Sequence, residues 1–318
     1  MYAFVQRDRC PACHGTALST LYAVPFSAPP IAGFVRDYYR ADPETFGGAR
    51  YELALCGRCT LVFQAQIGGP DLLRDLYTDW IDNPEDPEAE FDSYRSDINA
   101  IPQSRDAHEI MTAAALLGRK LSQLRTLDYG MGWGLWARIA GALGCESYGT
   151  DLSERRMDFA RRHGVRTVTN DELSAHRFDF INTEQVFEHV PEPLELLGKL
   201  AAALAPGGVV KISVPSGERV DAIVGALGRG GYRGDYASIV PVQPLEHVNS
   251  FTKMAIATMA ARVGLREVRP SYAARYRFLR HPGTLPLSRP KKAAKEMVRP
   301  FWQWRDPNNL YVWLRAAT

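Results

Sequence analysis

The sequence lacks several features that would place a protein in a membrane, a secreted fraction or a nucleic-acid complex. No apolar stretch reaches the roughly 18 residues that a membrane-spanning helix needs. The opening MYAFVQRDRC has no apolar core of a signal peptide. The net charge is only +2, so the whole chain carries no strong electrostatic signature for nucleic acid. We therefore expect a cytoplasmic protein with neither a membrane partner nor a nucleic-acid partner.

Cysteine is scarce, and four of the five cysteines stand in two close pairs. Cys10 and Cys13 form one C-x-x-C pair, and Cys56 and Cys59 form the other. This spacing lets both sulfurs of a pair reach one ion, and four thiolates complete a closed, structural zinc site. The sequence thus predicts a zinc-binding module over residues 1–69, with a loop or small insert between the pairs. The alternative is four reduced thiols without a metal.

Three glycines stand close together in the short stretch LDYGMGWGLW. Gly130, Gly132 and Gly134 alternate there between an apolar strand and a helix start, where glycine lets the backbone approach a ligand closely. The dinucleotide fingerprint G-x-G-x-x-G requires a third glycine where this chain has Leu135. The negative charge of Asp128 fits a diphosphate poorly and favours a ligand with an ammonium and a sulfonium group. The alternative is a tight glycine turn in another kind of α/β protein.

From residue 125 onward, short apolar strands alternate with helical segments, which is typical of a doubly wound parallel sheet. We predict strands over residues 125–129, 146–151, 165–169, 178–185, 209–215, 266–277 and 309–316. The second strand ends in Asp151, about 20 residues after the glycine turn, where an acid binds ribose hydroxyls. The alternative for Asp151 is a helix N-cap, although Ser153 is itself a good cap.

Three stretches resemble one enzyme family. Asp128-x-Gly130-x-Gly132-x-Gly134 resembles motif I of the class I S-adenosylmethionine-dependent methyltransferases. The run VFEHVPEPLELLGKLAAALAPGG resembles the region after strand four of small-molecule methyltransferases. The segment from the second cysteine pair to Tyr77 resembles the N-terminal part of bacterial methyltransferases that carry a zinc-binding module. This module together with the Glu-His-Val-Pro segment resembles enzymes that methylate small molecules, including sugar-nucleotide C-methyltransferases.

The resemblance implies a Rossmann-like, seven-stranded sheet in the order 3-2-1-4-5-7-6, preceded by the zinc-binding module and a helical cap. It implies S-adenosylmethionine as the cofactor, with Asn170 or Asp171 bonded to the adenine amino group. The implied cofactor contacts lie around the glycine turn and at the ends of strands: Asp128, Gly130, Gly132, Trp133, Gly134, Asp151, Leu152, Asn170, Asp171, Glu184 and Gln185.

Four segments of the chain are given roles by their composition and position. Residues 70–124 are predicted to form a helical linker and cap, and residues 125–318 the methyltransferase domain. Residues 82–97 are acidic and contain prolines, which is typical of a mobile linker or lid. The glycine-rich insert 216–249 is predicted to cover the substrate, with its arginines meeting an anionic group. A mobile surface loop is the alternative for the insert.

Methyl transfer from a sulfonium is an in-line displacement in which the enzyme mainly positions the nucleophile. A base is needed only where the acceptor carries a proton that must leave. The candidates are His247, His189, Glu188 and Glu246, and histidine has a pKa suited to this task. The alternatives are helix-start packing for His189 and ordering of the end of the insert for His247.

Two motifs that would indicate other acceptors are absent after the fourth strand. No Asp/Asn-Pro-Pro-Tyr/Phe occurs there, which counts against methylation of exocyclic amino groups of DNA bases or of glutamine. No Pro-Cys pair occurs there either, which counts against C5 methylation of RNA cytosine. We predict a monomeric or homodimeric enzyme that methylates O, N or C of a small molecule. The alternatives are a zinc-finger RNA base methyltransferase and a non-catalytic cofactor-binding or scaffold protein.

Overall fold

The computed structural model describes residues 1–81, 101–229, 236–281 and 283–317. Its strands are β1 (Phe4–Gln6), β2 (Leu18–Pro25), β3 (Arg50–Cys56), β4 (Val62–Gln64), β5 (Gln66–Gly68), β6 (Arg125–Tyr129), β7 (Glu146–Thr150), β8 (Arg166–Thr167), β9 (Phe178–Glu184), β10 (Leu204–Pro215), β11 (Asn249–Ser250), β12 (Leu265–Glu267) and β13 (Asn309–Ala316). Its α-helices are α1 (Ile31–Tyr39), α2 (Pro70–Asp75), α3 (Arg105–Leu117), α4 (Leu135–Ala142), α5 (Glu154–Arg162), α6 (Pro193–Ala202), α7 (Val220–Gly228), α8 (Lys253–Arg262), α9 (Tyr272–Arg275) and α10 (Pro290–Trp302). The predicted linker 82–97 lies outside the described residues. Among the described helices, none has the length and apolarity to cross a bilayer.

The chain divides into two compact units. The first unit comprises Met1–Asn83, Phe187–Leu196 and Val214–Arg262. The second unit comprises Pro84–Val186, Leu197–Ser213 and Val263–Thr318. The predicted zinc-binding module and the predicted insert therefore belong to the same unit, while the domain boundaries drawn from the sequence stay a prediction.

The second unit is built on a seven-stranded sheet in the order β12-β13-β10-β9-β6-β7-β8. The pairs β6–β7, β7–β8, β6–β9 and β9–β10 are parallel, and β12 pairs with β13 in the antiparallel sense. Counted along the chain within this sheet, the order is 3-2-1-4-5-7-6. The predicted Rossmann-like fold and its strand order are confirmed.

Helix α3, which precedes the sheet, has a defined start, a defined end and one apolar face. The Ser104 side chain accepts a hydrogen bond from the backbone N–H of Ala107 and caps the helix start. Gly118 ends the helix in the left-handed conformation that glycine favours. The apolar face of α3 packs into a core with Trp136 and Phe180, so the helix is held against the sheet.

The first unit contains a four-stranded sheet, β11-β4-β3-β2, and a two-stranded sheet, β1-β5. Its core is rich in aromatic side chains, including Phe26, Phe46 and Tyr51. The segment between the two cysteine pairs is a small insert of β2, α1 and β3, as one of the two expectations had it.

The insert 216–249 is more ordered than a glycine-rich surface loop where the structure describes it. Its first part forms α7, and its side chains Val220, Leu227 and Leu245 are buried in the aromatic core of the first unit. This burial gives the insert a structural role, and its predicted covering of the substrate stays a prediction. Arg229 lies just after α7 and Arg233 lies outside the described residues.

One predicted strand is largely wrong. The sequence placed strand six over residues 266–277, but β12 ends at Glu267. Pro270 interrupts the pattern, and the Ser271 side chain then accepts a hydrogen bond from the N–H of Ala274 and starts the short helix α9. A helix cap that follows a proline overrides the strand propensity of the apolar residues around it.

Candidate functional site

The glycine turn follows β6 in the second unit. Gly130, Gly132 and Gly134 have φ angles of 72°, 54° and 87°, which other residues rarely adopt. A Cβ added at Gly130 would come within 2.5 Å of a methyl carbon of Val186, so this position also lacks space for a side chain. The N–H groups of Gly130 and Met131 both donate to the carbonyl of Thr150, the last residue of β7. The turn is therefore fixed by backbone geometry before α4 begins.

Asp151 lies at the end of β7 beside that turn. Its Oδ2 accepts a hydrogen bond of 2.9 Å from the N–H of Gly132, and its Oδ1 accepts one of 3.0 Å from the N–H of Ser153. The cap of α5 is Ser153, whose Oγ accepts from the N–H of Arg156. Leu152, between Asp151 and Ser153, is 88% exposed. The structure thus brings Asp151 and the turn together and leaves the helix cap to Ser153, while the binding of ribose by Asp151 stays a prediction.

Three other predicted cofactor residues lie around this turn. Trp133 packs edge-on against Phe159 of α5, with ring centroids 5.1 Å apart, and the guanidinium groups of that helix lie over its indole. Asn170 and Asp171 are exposed in the loop after β8. Asn170 opposes the rise that burial causes in the pKa of Tyr129, which lies at the end of β6. The Trp133 side chain is therefore held by α5, and Asn170 lies near the end of β6.

The Asp128 carboxylate before the turn is fully buried. Asn182 of β9 donates from Nδ2 to Asp128 Oδ1 at 2.8 Å. Burial raises the pKa of Asp128 to about 7, with the Asn182 hydrogen bond opposing the rise. The carboxylate therefore changes charge near neutral pH, and a bound cation would favour its charged form.

Lys211 of β10 lies behind this pair and is 1% exposed. Its Nζ donates to Glu109 at 2.8 Å, to Glu184 at 2.6 Å and to Asn182 Oδ1 at 3.1 Å. Burial lowers the pKa of Lys211, but Glu109 and Glu184 outweigh burial and raise it above its ordinary value. Arg105 also contacts Glu184. The Asn182 amide is thereby fixed with its N–H toward the carboxylate of the turn.

Sequence reasoning missed Lys211 and Glu109. The available signal was a single lysine inside the apolar strand VVKISVP, because a lysine buried in a central strand needs acidic partners. The predicted cofactor residue Glu184 is already engaged by two cations and acts in this network. The next residue, Gln185, has a φ of 54°, and its N–H donates to the carbonyl of Ser213 at 2.8 Å.

The first unit brings together the three predicted catalytic residues. Glu188, His189 and His247 each offer a ligand or acceptor atom within 4.8 Å of the others. The imidazole centroids are 4.8 Å apart at an interplanar angle of 77°. Oε1 of Glu188 lies 4.0 Å from Nε2 of His189, and the carboxyl group is 1% exposed.

Backbone carbonyls set the proton positions of both imidazoles. His247 Nδ1 contacts the carbonyl of Val240, and His189 Nδ1 lies 3.1 Å from the carbonyl of Glu246. A carbonyl only accepts, so Nδ1 carries the proton in each ring and Nε2 carries the lone pair. The hydroxyl of Tyr77 lies 3.2 Å from His189 Nδ1 as well. Both histidines therefore present Nε2 as an acceptor.

Burial also keeps both histidines neutral. It lowers the pKa of His189 to about 3 and that of His247 to about 4. A neutral imidazole accepts a hydrogen bond from a hydroxyl. It takes up the proton of that hydroxyl with less driving force than an ordinary histidine.

Glu246, the fourth candidate, is held by one nearby side chain and by one from a distant part of the chain. Its carboxylate contacts Gln243 Nε2 and accepts from the Tyr39 hydroxyl at 3.3 Å. Burial raises the pKa of Glu246 to about 7. Sequence reasoning missed Tyr39 and Tyr77, and no local signal was available because each is more than a hundred residues from its partner.

The two cysteine pairs meet in the first unit as a buried cluster. The sulfurs of Cys10 and Cys59 are 3.5 Å apart, and those of Cys13 and Cys56 are 3.6 Å apart. Zn–S bonds of about 2.3 Å in a tetrahedron place sulfurs about 3.8 Å from one another. A hydrogen bond from Cys59 lowers the pKa of Cys10 to about 5 against the effect of burial. None of the four is in a disulfide, so the donor set fits a structural zinc ion.

Each cysteine pair is closed by the same backbone turn. The residues that follow the pairs, His14 and Thr60, have φ angles of 54° and 62°. Their N–H groups donate to the carbonyls of Cys10 and Cys56, at 2.8 Å and 2.9 Å. A Cβ added at Gly15 would come within 3.2 Å of a cluster sulfur. The two turns therefore present the sulfurs from matching directions.

A family model described as a methyltransferase domain matches residues 102–269. The chain belongs to this methyltransferase family. The match covers the sheet strands from β6 to β12 together with the glycine turn and Asp151. The prediction that the chain is a methyltransferase, and hence an enzyme, is confirmed at the level of the family.

Curated relatives share part of this region. The chain is 32% identical over 139 residues to the "Ubiquinone biosynthesis O-methyltransferase" of Bordetella pertussis, covering 40% of this chain and 54% of that protein. It is 30% identical over 100 residues to the protein of the same name from Vibrio cholerae, covering 28% and 41%. The chain therefore spans about half the length of the curated relatives that it matches.

Two solved methyltransferase structures align with this chain at low sequence identity. The plantazolicin methyltransferase BamL, solved with a triazolic desmethylPZN analog and SAH, aligns with a TM-score of 0.49 at 13% identity. That alignment covers 78% of this chain and 97% of that chain. An S-adenosylmethionine-dependent methyltransferase from Mesorhizobium loti aligns with a TM-score of 0.40 at 20% identity, covering 64% and 97%.

Proposed function

We propose that this protein transfers a methyl group from S-adenosylmethionine to a small-molecule acceptor. The observation that carries the proposal is the Asp151 carboxylate, which is held beside the glycine turn by the N–H of Gly132. Ligands of parallel sheets bind at the carboxyl ends of the strands, which is where both groups lie. A carboxylate at that place accepts hydrogen bonds from two vicinal hydroxyls, as the ribose of the cofactor provides.

The other cofactor residues take roles from their positions. Asp128 supplies negative charge for the ammonium of the cofactor, and Asn182 and Lys211 keep its surroundings fixed. The exposed side chain of Leu152 offers an apolar surface next to the ribose site. The adenine amino group is bonded in the loop that holds Asn170 and its neighbour Asp171.

We infer that the acceptor presents a hydroxyl group. The curated relatives that match the chain are named O-methyltransferases, and the cluster of Glu188, His189 and His247 offers two Nε2 acceptors. During transfer the methyl–oxygen bond forms as the carbon–sulfur bond breaks, and the acceptor proton must leave. In this proposal His247 takes that proton, with Glu188 nearby to offset the charge of the imidazolium.

The zinc ion belongs to the same proposal. Four buried sulfurs at tetrahedral spacing fit zinc and leave it no open position, so the ion folds the module and takes no part in methyl transfer. In this proposal Cys10, Cys13, Cys56 and Cys59 are its four ligands.

Calorimetry tests the cofactor assignment. The purified chain is titrated with S-adenosylmethionine and, separately, with NAD, and its metal content is measured on the same sample. Saturable binding of S-adenosylmethionine with one zinc per chain is the expected result. Binding of NAD in place of S-adenosylmethionine contradicts the proposal.

Transfer of a radiolabelled methyl group tests the acceptor. Hydroxylated and aminated small molecules and total RNA are offered under the same conditions. Product on a hydroxylated compound supports the proposal, whereas product on RNA alone favours the zinc-finger RNA alternative. Tight cofactor binding without transfer to any acceptor favours the non-catalytic alternative.

A further inference from the structure

Positive charge is concentrated in the last part of the second unit. Between residues 269 and 305 the sequence has ten lysines and arginines and one acidic residue, Glu296. The whole chain has a net charge of only +2, so the rest of the chain is net acidic. This segregation makes the segment a basic surface on an otherwise acidic protein.

The same segment carries about half of the exposed large apolar side chains in the described part of the chain. Of the eleven large apolar side chains that are exposed among the described residues, six lie between positions 272 and 302. Leu287 is 78% exposed and Trp302 is 58% exposed. The full set is Tyr272, Leu279, Leu287, Met297, Val298 and Trp302.

Helix α10 arranges charge and apolar surface on one side. Val298 and Trp302 are four residues apart and lie on the same face, and Lys291 and Lys295 continue this face toward the start of the helix. All four side chains are exposed. We call the surface formed by these four residues the α10 face. An outward face that carries both lysines and a tryptophan offers the charge and the apolar surface with which helices bind at a membrane surface.

The opposite side of α10 is fixed to the second unit. Glu296 is 2% exposed, and its carboxylate lies 3.5 Å from Nδ1 of His108 on α3. The same carboxylate accepts a hydrogen bond of 2.8 Å from Arg299. The hydroxyl of Tyr276 donates to the carbonyl of Met297 at 2.8 Å. These contacts anchor the helix and keep the α10 face directed outward.

We propose that the α10 face binds the surface of a bilayer that contains anionic lipid. Lysines gain from negatively charged headgroups, and tryptophan and valine gain from the boundary between headgroups and acyl chains. A second copy of the chain is a poor occupant, because two such basic faces repel each other. Binding of this peripheral kind needs no membrane-spanning helix, and it departs from the expectation of no membrane partner. The proposal is independent of methyl transfer.

Vesicle co-sedimentation tests this proposal with the full chain. Vesicles of phosphatidylcholine with about 30 mol% phosphatidylglycerol, whose negative surface potential attracts lysines, are compared with vesicles of phosphatidylcholine alone. The first variant reverses two charges on the α10 face, Lys291→Glu with Lys295→Glu. Its matched control reverses two exposed lysines elsewhere, Lys120→Glu with Lys253→Glu. A third variant, Trp302→Ser, removes apolar surface without changing charge.

The wild type is expected to bind the anionic vesicles and not the neutral ones. The Lys291→Glu/Lys295→Glu variant should lose at least about tenfold in affinity, and the control pair should lose far less. Trp302→Ser should weaken binding at every salt concentration. Absence of vesicle binding at low salt, or equal losses in the two charge-reversal pairs, overturns the proposal. It is also overturned if a single-stranded oligonucleotide displaces the vesicles while Trp302→Ser leaves vesicle binding unchanged.

Discussion

The backbone N–H of Gly132 donates a hydrogen bond of 2.9 Å to the carboxylate of Asp151, nineteen positions further along the chain. The bond joins the turn after β6 to the end of β7. It holds the carboxylate in place before a ligand binds, so binding costs little side-chain entropy.

Replacing that carboxylate should weaken cofactor binding without unfolding the chain. Hydrogen bonds to charged groups contribute about 1.5–3 kcal/mol, so Asp151→Ala should raise the Kd for S-adenosylmethionine by about 10- to 100-fold. The control is Asp158→Ala on α5, whose side chain is 56% exposed. Calorimetry measures both variants, and equal effects would contradict the role of Asp151.

The affinity for S-adenosylmethionine should rise with pH through neutrality. Burial raises the pKa of Asp128 from 3.8 to about 7, and only the charged carboxylate attracts an ammonium. Without ligand, the shift costs stability as the pH rises from 3.8 through about 7, because the unfolded carboxyl loses its proton first. A bound cation reverses that cost, so the cofactor should raise the Tm more at about pH 7.5 than at about pH 6.

Asp128→Asn provides the comparison for this pH dependence. The amide does not titrate, so the cofactor-induced change in Tm should become nearly independent of pH over the same range. Asp158→Asn should keep the profile of the wild type. A variant Asp128→Asn that retains the full pH dependence would assign the titration to another group.

The cysteine cluster should be required for the metal and for the first unit. Cys56→Ser removes one of four thiolates, so the chain should lose its zinc and its first unit should unfold at lower temperature. The matched control is Cys145→Ser, because Cys145 is also buried and lies outside the cluster. Burial raises the pKa of the Cys145 thiol to about 12, so it is an inert thiol. Elemental analysis and thermal melting distinguish the two variants. Zinc retained in Cys56→Ser would contradict the assignment of Cys56 as a zinc ligand.

His247→Ala should lower kcat far more than it weakens cofactor binding. General-base catalysis contributes about 10²- to 10⁴-fold to rate, so kcat should fall within that range while the Kd for S-adenosylmethionine changes by less than about threefold. His281→Ala, at an exposed position, is the control. Equal losses in kcat and in cofactor affinity would leave His247 with a structural role only.

Residues that are close in sequence explain what could be predicted without a structure. The glycine turn depends on the spacing of Gly130, Gly132 and Gly134, and each of them has the positive φ that this spacing predicts. The C-x-x-C pairs likewise contain their own turns. In both cases the local chain carries the physical constraint. The alternation of strands and helices predicted a doubly wound parallel sheet, whereas its strand order was implied by the family resemblance alone.

Contacts between distant residues decided the rest. The ion pair of Lys211 and Glu109 spans 102 positions, and the contact between Tyr77 and His189 spans 112. Their partners are chosen by the folded backbone, and burial then sets the charge of each group. That burial keeps His189 and His247 neutral and moves the titration of Asp128 to neutral pH. The residue types alone indicated the candidate site residues. Their protonation depends on desolvation, which exists only once the chain has folded.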